Sequence, residues 1–225
     1  MNADLVVIAK EPVPGRVKTR LTPRYTEEEA ARLAEAALAD TLATVARTPA
    51  GARTLALRGG PGPWLPPGVR VIPQRGDGLD ERLAHAFEDA YAGRPLVLIG
   101  MDTPQVTTAL LEQAGRAMEH CDAVFGPADD GGFWLLGLDR PDAALLRGVP
   151  MSRPDTGRAQ LDRLHSAGLT VAVLPRLTDV DTAADAAGVA ALAPHGRFAA
   201  AVRAVQDGKA GNAGDTRQAL RAGTA

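Results

Sequence analysis

The feature of this sequence that most constrains its fold is the alternation of short apolar runs with longer helical stretches. The apolar runs predict strands at Leu5–Ala9, Thr54–Leu57, Val69–Ile72, Leu96–Ile99, Ala123–Phe125, Trp134–Leu138 and Thr170–Leu174. Helices are predicted from Thr26 to about Arg47 and over Leu79–Tyr91, Thr107–His120, Thr156–Ala167 and Ala183–Leu192. Short strands without clean polar alternation are typical of a parallel sheet covered on both faces. The sequence therefore predicts an α/β fold with a mostly parallel central sheet flanked by helices.

One domain accounts for most of the chain. A length of 225 residues, 45% of them hydrophobic, is sufficient for one substantial core. After about Gln206 the chain becomes rich in Gly, Asp and Ala, as in Asp207–Asp215, which is typical of a frayed terminus. We expect a domain over residues 1–205 and a flexible tail over residues 206–225.

The charge balance argues against polyanionic partners. The chain has 25 basic and 27 acidic residues and a net charge of -2, so we expect neither nucleic acid nor a membrane as a partner. The run Leu5–Ala9 is far shorter than the roughly 20 residues of a membrane span, and no targeting segment is expected. The single cysteine, Cys121, cannot form an internal disulfide, so a cytoplasmic location is the simplest expectation.

A basic loop follows the first predicted strand. It contains a flexible glycine and four cationic positions, with polar Thr19 among them: Lys10, Gly15, Arg16, Lys18, Thr19 and Arg20. Ligands of α/β sheets bind at the carboxyl ends of the strands, and clustered cations there can hold a di- or triphosphate. The alternative is an ordinary solvated basic loop. The loop matches neither a P-loop nor a G-x-G-x-x-G turn, so neither of those mechanisms applies.

Carboxylates follow three of the predicted strands. Asp102 comes directly after the apolar run Leu96–Ile99, in a position where a carboxylate can hold Mg²⁺ or Mn²⁺ against phosphate oxygens. A second acidic turn, Asp129-Asp130-Gly131-Gly132, and a third pair, Asp179 and Asp181, follow later strands. Helix capping is the alternative role for Asp102, and capping of the last helix by Asp181 or Thr182 is the alternative for the third pair.

One further loop is a candidate for contacting a base. Gln74 and Gly76 follow the third strand, where a glycine lets a planar ring approach the backbone and an amide can read a base edge. An ordinary strand-to-helix connection explains this spacing equally well. The four histidines have no partner at zinc-ligand spacing, and neither serine lies in G-x-S-x-G.

The order of these motifs resembles the nucleotide-diphospho-sugar transferase superfamily with the glycosyltransferase-A fold, and within it the bacterial family DUF2064. The matching segments are Ala9–Pro12, Pro14–Gly15, Val17–Leu21, Gln74 with Gly76–Asp77, Gly100-x-Asp102-x-Pro104, Gly126–Gly132 and Asp179–Thr182. The resemblance implies a Rossmann-like sheet, a divalent metal held by Asp102 and Asp181, and a nucleotide across the strand ends. The chain departs from the family pattern at Phe133-Trp134 and Pro150-Met151-Ser152, in the half that should meet the acceptor.

Three functions are compatible with this pattern. The first is metal-dependent glycosyl transfer from a nucleotide-sugar to a small acceptor, with Lys18, Arg20, Asp102 and Asp130 as catalytic residues and Asp129–Gly132 binding the acceptor. The second is nucleotidyl transfer, in which a phosphorylated small molecule attacks the α-phosphate of a nucleoside triphosphate and pyrophosphate leaves. The third is a catalytically silent nucleotide-binding protein. The oligomeric state, the base and the acceptor are left open.

Overall fold

The structure is a computed structural model that describes residues 2–222, with the side chains of residues 2–209. Its centre is a seven-stranded sheet. The strands are β1 (Asp4–Lys10), β2 (Arg53–Arg58), β3 (Arg70–Pro73), β4 (Leu96–Gly100), β5 (Ala123–Pro127), β6 (Phe133–Leu138) and β7 (Val171–Val173). Each lies where an apolar run predicted it, within a few residues at either end.

The sheet is mostly parallel, as predicted. Its strand order is β3-β2-β1-β4-β6-β5-β7. Strand β6 is the exception, since it runs antiparallel to both of its neighbours, β4 and β5. The other strands therefore share one direction, and their carboxyl ends lie along a single edge. The loops that leave β1, β4, β5 and β7 all begin at this edge.

Helices cover both faces of the sheet. They are α1 (Glu27–Arg47), α2 (Leu79–Ala90), α3 (Thr108–Ala117), α4 (Thr156–Ser166), α5 (Ala183–Leu192) and α6 (Arg197–Ala222). The alternation along β1 divides the core: Val7 packs in the cluster that contains Leu38 of α1, and Val6 packs in the one that contains Phe87 of α2. Helix α1 begins with the predicted capping box, in which the Thr26 hydroxyl accepts from the Glu29 amide at 3.2 Å.

Helix α6 lies partly in the segment expected to be a tail. Its first turns bury Phe198 and Val202 against Leu33 and Ala37 of α1. This packing stabilises a helix that the Gly-rich composition did not predict. The domain boundary at residue 205 and the flexibility of residues 206–225 stay predictions. Across residues 2–222, no helix combines the length and the apolar character that a membrane crossing requires.

Candidate active site

The basic loop after β1 turns one lysine toward the interior. Gly15 has a φ of 73°, a conformation that glycine adopts readily, and Lys18 follows in the left-handed region with a φ of 51°. Val17 and Leu21 are buried on either side and fix the loop to the core. The Lys18 side chain is consequently only 7% exposed, whereas that of Arg20 is 71% exposed.

Lys18 connects its own loop to two distant segments, the end of β4 and the segment before α5. Its Nζ lies 2.6 Å from Oδ1 of Asp102 and 3.6 Å from Oδ1 of Asp181, and it donates a hydrogen bond to the Val180 carbonyl. Arg20 pairs with the other oxygen of Asp181 at 3.0 Å. The structure thus brings together four of the predicted site residues: Lys18, Arg20, Asp102 and Asp181.

Backbone and side-chain hydrogen bonds hold the two carboxylates at this position. The Val180 amide donates to the Asp102 carbonyl at 2.9 Å, which ties the segment before α5 to the end of β4. Gln105, nine-tenths buried, donates its amide to the Thr178 carbonyl at 2.7 Å. The sequence analysis missed Gln105, for which the only signal was its position three residues after Asp102. Of the two candidate helix caps, Asp181 and Thr182, the structure shows that Thr182 caps α5.

The pKa of Asp179 indicates an excess of negative charge in this region. Burial, followed by the carboxylates of Asp102, Asp130 and Asp181, raises its pKa to about 7 against an opposing effect of Lys18. Asp130 is therefore close enough to act electrostatically on the same group. A cluster of carboxylates that raises a carboxyl pKa in this way favours the binding of a cation.

The acidic turn after β5 has clear structural roles as well. Asp130 accepts from the Gly132 amide at 2.8 Å, and Asp129 accepts from the Thr178 hydroxyl. Gly131 has a φ of 88° and its carbonyl accepts from the Gly157 amide at 2.7 Å, so the turn packs closely against the start of α4. Acceptor binding by Asp129, Asp130, Gly131 and Gly132 stays a prediction.

Gln74 is already engaged by the sheet. Its Nε2 donates to the Ala9 carbonyl at 2.7 Å and to the Ala56 carbonyl at 2.9 Å, so both amide hydrogens are used at the ends of β1 and β2. Only the Oε1 acceptor remains for a base. Gly76 follows in the left-handed region with a φ of 106°. Their role toward a nucleotide also stays a prediction.

Lys10 and Arg16 differ from Lys18 and Arg20 because, within the described side chains, they have no carboxylate partner. The side chains of Lys10 and Arg16 are exposed, and neither makes a salt bridge within residues 2–209. Thr19 is exposed in the same turn, and its carbonyl accepts from the Thr22 hydroxyl at 2.6 Å. The loop therefore presents free positive charge at the edge of the sheet, next to the carboxylate pair.

The carboxylate pair fits a divalent cation chemically. The Lys18 ammonium contacts both Asp102 and Asp181, which shows that one cation can be reached by both side chains. Carboxylate oxygens are the ligands that Mg²⁺ and Mn²⁺ prefer, and such ions often take only two from the protein and the rest from water and phosphate. No group of three or more His, Cys, Asp or Glu side chains within the described residues is arranged around a common metal position.

Solved structures share this fold. A protein of Desulfovibrio desulfuricans assigned as a nucleotide-diphospho-sugar transferase is 31% identical, with a TM-score of 0.72 over 80% of this chain and 83% of its own. The 2-C-methyl-D-erythritol 4-phosphate cytidylyltransferase of Thermus thermophilus is 18% identical, with a TM-score of 0.54 over 86% of this chain and 100% of its own. A Mycobacterium tuberculosis protein in complex with manganese is 20% identical, with a TM-score of 0.53 over 84% of this chain and 98% of its own.

The family assignment rests on sequence as well as fold. No curated protein matches the chain. The model of the family described as "uncharacterized protein conserved in bacteria", DUF2064, matches residues 30–153, which is more than half of the chain. The matched segment contains Gln74, Asp102 and Asp130, and the basic loop lies before it in the chain. The chain belongs to the DUF2064 family.

Proposed function

We propose that the protein is a cytoplasmic, metal-dependent transferase that uses a nucleotide donor, and that the transferred group is a nucleotidyl group. The donor is a nucleoside triphosphate and the acceptor a phosphorylated small molecule. The observation that carries the proposal is the contact of Lys18 with both Asp102 and Asp181. It joins a basic loop suited to phosphates and a carboxylate pair suited to a metal into one site.

The charges around this site support a triphosphate. Lys10 and Arg16 have no carboxylate partner within the described side chains, and Lys18 and Arg20 lie beside them on the same loop. A nucleoside triphosphate carries more negative charge than a nucleotide-sugar, so a loop with four cations matches it better. The fold is also that of a cytidylyltransferase, although the 18% identity to that enzyme supports the fold alone.

In the proposed reaction an oxygen of the acceptor phosphate attacks the α-phosphorus. A new P–O bond forms there, the bond to the bridging α–β oxygen breaks, and pyrophosphate leaves with the electron pair. Asp102 and Asp181 would hold Mg²⁺ or Mn²⁺, which neutralises charge on the leaving pyrophosphate when it is bound. Lys10, Gly15, Arg16, Thr19 and Arg20 would hold the phosphates. The Asp129–Gly132 turn would position the acceptor.

Glycosyl transfer from a nucleotide-sugar is the second candidate. It is favoured by the Desulfovibrio desulfuricans protein, which is 31% identical and is assigned as a nucleotide-diphospho-sugar transferase. In that reaction the bond between the sugar and the diphosphate breaks, and a nucleoside diphosphate leaves instead of pyrophosphate. The two candidates therefore differ in the donor and in the leaving group.

A ligand screen separates these candidates. The protein is heated with Mg²⁺ and each nucleoside triphosphate or nucleotide-sugar in turn, and unfolding is followed by fluorescence. A ligand present at 100 times its dissociation constant should add about 2.7 kcal/mol to the stability. Stabilisation by a triphosphate supports nucleotidyl transfer. Stabilisation by nucleotide-sugars alone would contradict it, and the absence of any response would contradict both candidates.

The role of Asp102 is tested by its amide isostere. Asp102→Asn keeps the shape of the side chain but removes the charge that holds a metal, so we expect the Mg²⁺-dependent part of the ligand stabilisation to be lost. The control is Asp162→Asn, which removes an exposed carboxylate of α4. Stabilisation of the Asp102→Asn variant equal to that of the wild type would refute the metal role.

A further inference from the structure

The position of Lys18 has a consequence for how a metal enters the site. The ammonium occupies the space between Asp102 and Asp181, and its remaining contact is the Val180 carbonyl. The 2.6 Å contact with Asp102 and the hydrogen bond to Val180 hold the ammonium directly, and the 3.6 Å separation from Asp181 is an ion pair rather than a hydrogen bond. Lys18 is therefore the counter-ion of the carboxylate pair.

A divalent cation and the Lys18 ammonium cannot both hold this pair. A Mg²⁺ ion bound to carboxylate oxygens lies about 2.0–2.1 Å from them. A metal shared by Asp102 and Asp181 would then lie close to an ammonium that is itself 2.6 Å from an Asp102 oxygen. Two cations at that separation repel each other, and the Lys18 side chain, 7% exposed, is less screened by solvent than those of Asp102 and Asp181, which are 43% and 31% exposed. Lys18 has to move when the metal binds.

The displaced ammonium needs a new anion. With a bare metal ion, Lys18 loses both carboxylates and would stay largely buried beside a like charge, which is costly. With a metal that arrives together with phosphates, the ammonium can exchange carboxylate oxygens for phosphate oxygens. Its loop already presents Arg16 and Lys10 at the same edge. Lys18 therefore makes the binding free energy of a bare metal ion less favourable than that of a metal–phosphate complex.

We propose that Lys18 is an internal counter-ion that occupies the divalent-cation position and makes metal binding depend on a phosphate ligand. The proposal deepens the proposed function, because it rests on Asp102 and Asp181 being the metal ligands. It assigns to Lys18 a specificity for metal–phosphate complexes over free metal ions. Only molecules in which Lys18 has left the carboxylates can bind bare metal. The apparent affinity for bare metal is therefore reduced in proportion to the fraction of such molecules.

The test measures the binding of Mn²⁺ alone. Free Mn²⁺ is followed by electron paramagnetic resonance as wild-type protein and the Lys18→Met variant are titrated without nucleotide. Methionine matches the lysine side chain as far as Cε and removes the ammonium. We expect the variant to bind one Mn²⁺ about tenfold more tightly or better, since the competing internal cation is gone. The double variant Lys18→Met/Asp102→Asn should lose this gain.

The matched control is Lys209→Met. Lys209 also forms an ion pair, with Glu29 at 2.8 Å, but at the junction of α6 and α1. It should leave the Mn²⁺ affinity at the wild-type value. Lys18→Gln, which can still donate to the Val180 carbonyl, repeats the measurement if the methionine variant does not fold.

The outcomes distinguish this proposal from the proposed function. Mn²⁺ affinity that is the same in wild type and in both Lys18 variants overturns the counter-ion role, even where nucleotides stabilise the protein. A gain that persists in the Asp102→Asn background overturns it as well, because the metal would then lie elsewhere. Failure of every nucleotide to stabilise the wild type overturns the proposed function while leaving the Mn²⁺ comparison intact.

Discussion

Replacing Asp179 by asparagine is expected to stabilise the metal-free protein, by an amount that grows as the pH rises. The pKa of Asp179 is raised from 3.8 to about 7 in the folded protein, because burial and the neighbouring carboxylates disfavour its charged form. The folded state therefore holds the proton more tightly than the unfolded state. Stability from this group is present at low pH and is lost as the pH rises through the window between these two values.

The size of the effect follows from that difference. One pKa unit corresponds to about 1.4 kcal/mol, so ionising Asp179 in the folded protein costs about 4 kcal/mol in full. Asparagine has the same shape and does not ionise, so the Asp179→Asn variant avoids the cost. We expect its stability advantage over the wild type to increase by about 1.4 kcal/mol per pH unit through the window and to level off above about pH 7.

Urea unfolding in the presence of a chelator measures this advantage. Trp64 and Trp134 provide the fluorescence signal, and the same titration at several pH values gives the free energy of unfolding of each variant. Taking the difference between variants cancels the titration of all other groups. The control Asp162→Asn removes an exposed carboxylate of α4 and measures the effect of losing a surface charge alone. A difference between Asp179→Asn and wild type that is flat with pH, or that favours the wild type at pH 8, would refute the reasoning.

Two further predictions concern the turn beside α4 and the basic loop. Gly131→Ala should lower the free energy of unfolding in urea by about 2–4 kcal/mol, because a Cβ at this positive φ would overlap the Pro154 carbonyl. The control is Gly148→Ala, which is also at positive φ but has open space around it, and it should lower the stability by only about 1 kcal/mol. Arg16→Ala should weaken triphosphate binding in calorimetry about tenfold with an unchanged melting temperature, since this exposed side chain makes no salt bridge in the described part of the protein. An unchanged triphosphate affinity would exclude Arg16 from the phosphate site.

The fold was predictable from the sequence to the extent that its elements are locally encoded. The strands are short apolar runs, and Thr26 and Glu29 mark the start of α1 by a capping box that the structure contains. The insertion of β6 between β4 and β5 was not encoded locally, because the direction of a strand depends on pairing with distant residues. Helix α6 was missed for a related reason. Glycines such as Gly208 lower its helix propensity, while the packing of Phe198 on α1 favours the helix.

The candidate site was predictable only in its general location. Parallel strands bring their carboxyl ends to one edge, so the approach of Asp102 and Asp181 followed from topology. The inward orientation of Lys18 could not be predicted from the sequence. It depends on a left-handed backbone conformation at a non-glycine residue and on a hydrogen bond to Val180, which is 162 residues away in the chain. The spacing of Arg16, Lys18 and Arg20 suggested three equivalent phosphate ligands. The structure distinguishes them: Lys18 is buried and contacts both carboxylates, and Arg20 is exposed and pairs with Asp181. Arg16 is exposed and makes no salt bridge within the described side chains.

The inward lysine and the raised pKa of Asp179 have a common origin. The carboxylates of Asp102, Asp179 and Asp181 lie together, and charge repulsion within such a group destabilises the ligand-free fold unless it is neutralised. The protein neutralises part of it with the Lys18 ammonium and part by raising a carboxyl pKa. A cation brought by a ligand would relieve the same repulsion more completely and would release Lys18 for phosphate. Natural proteins often retain such a destabilised site where function requires it, and this one concentrates the cost at the residues that the proposed reaction uses.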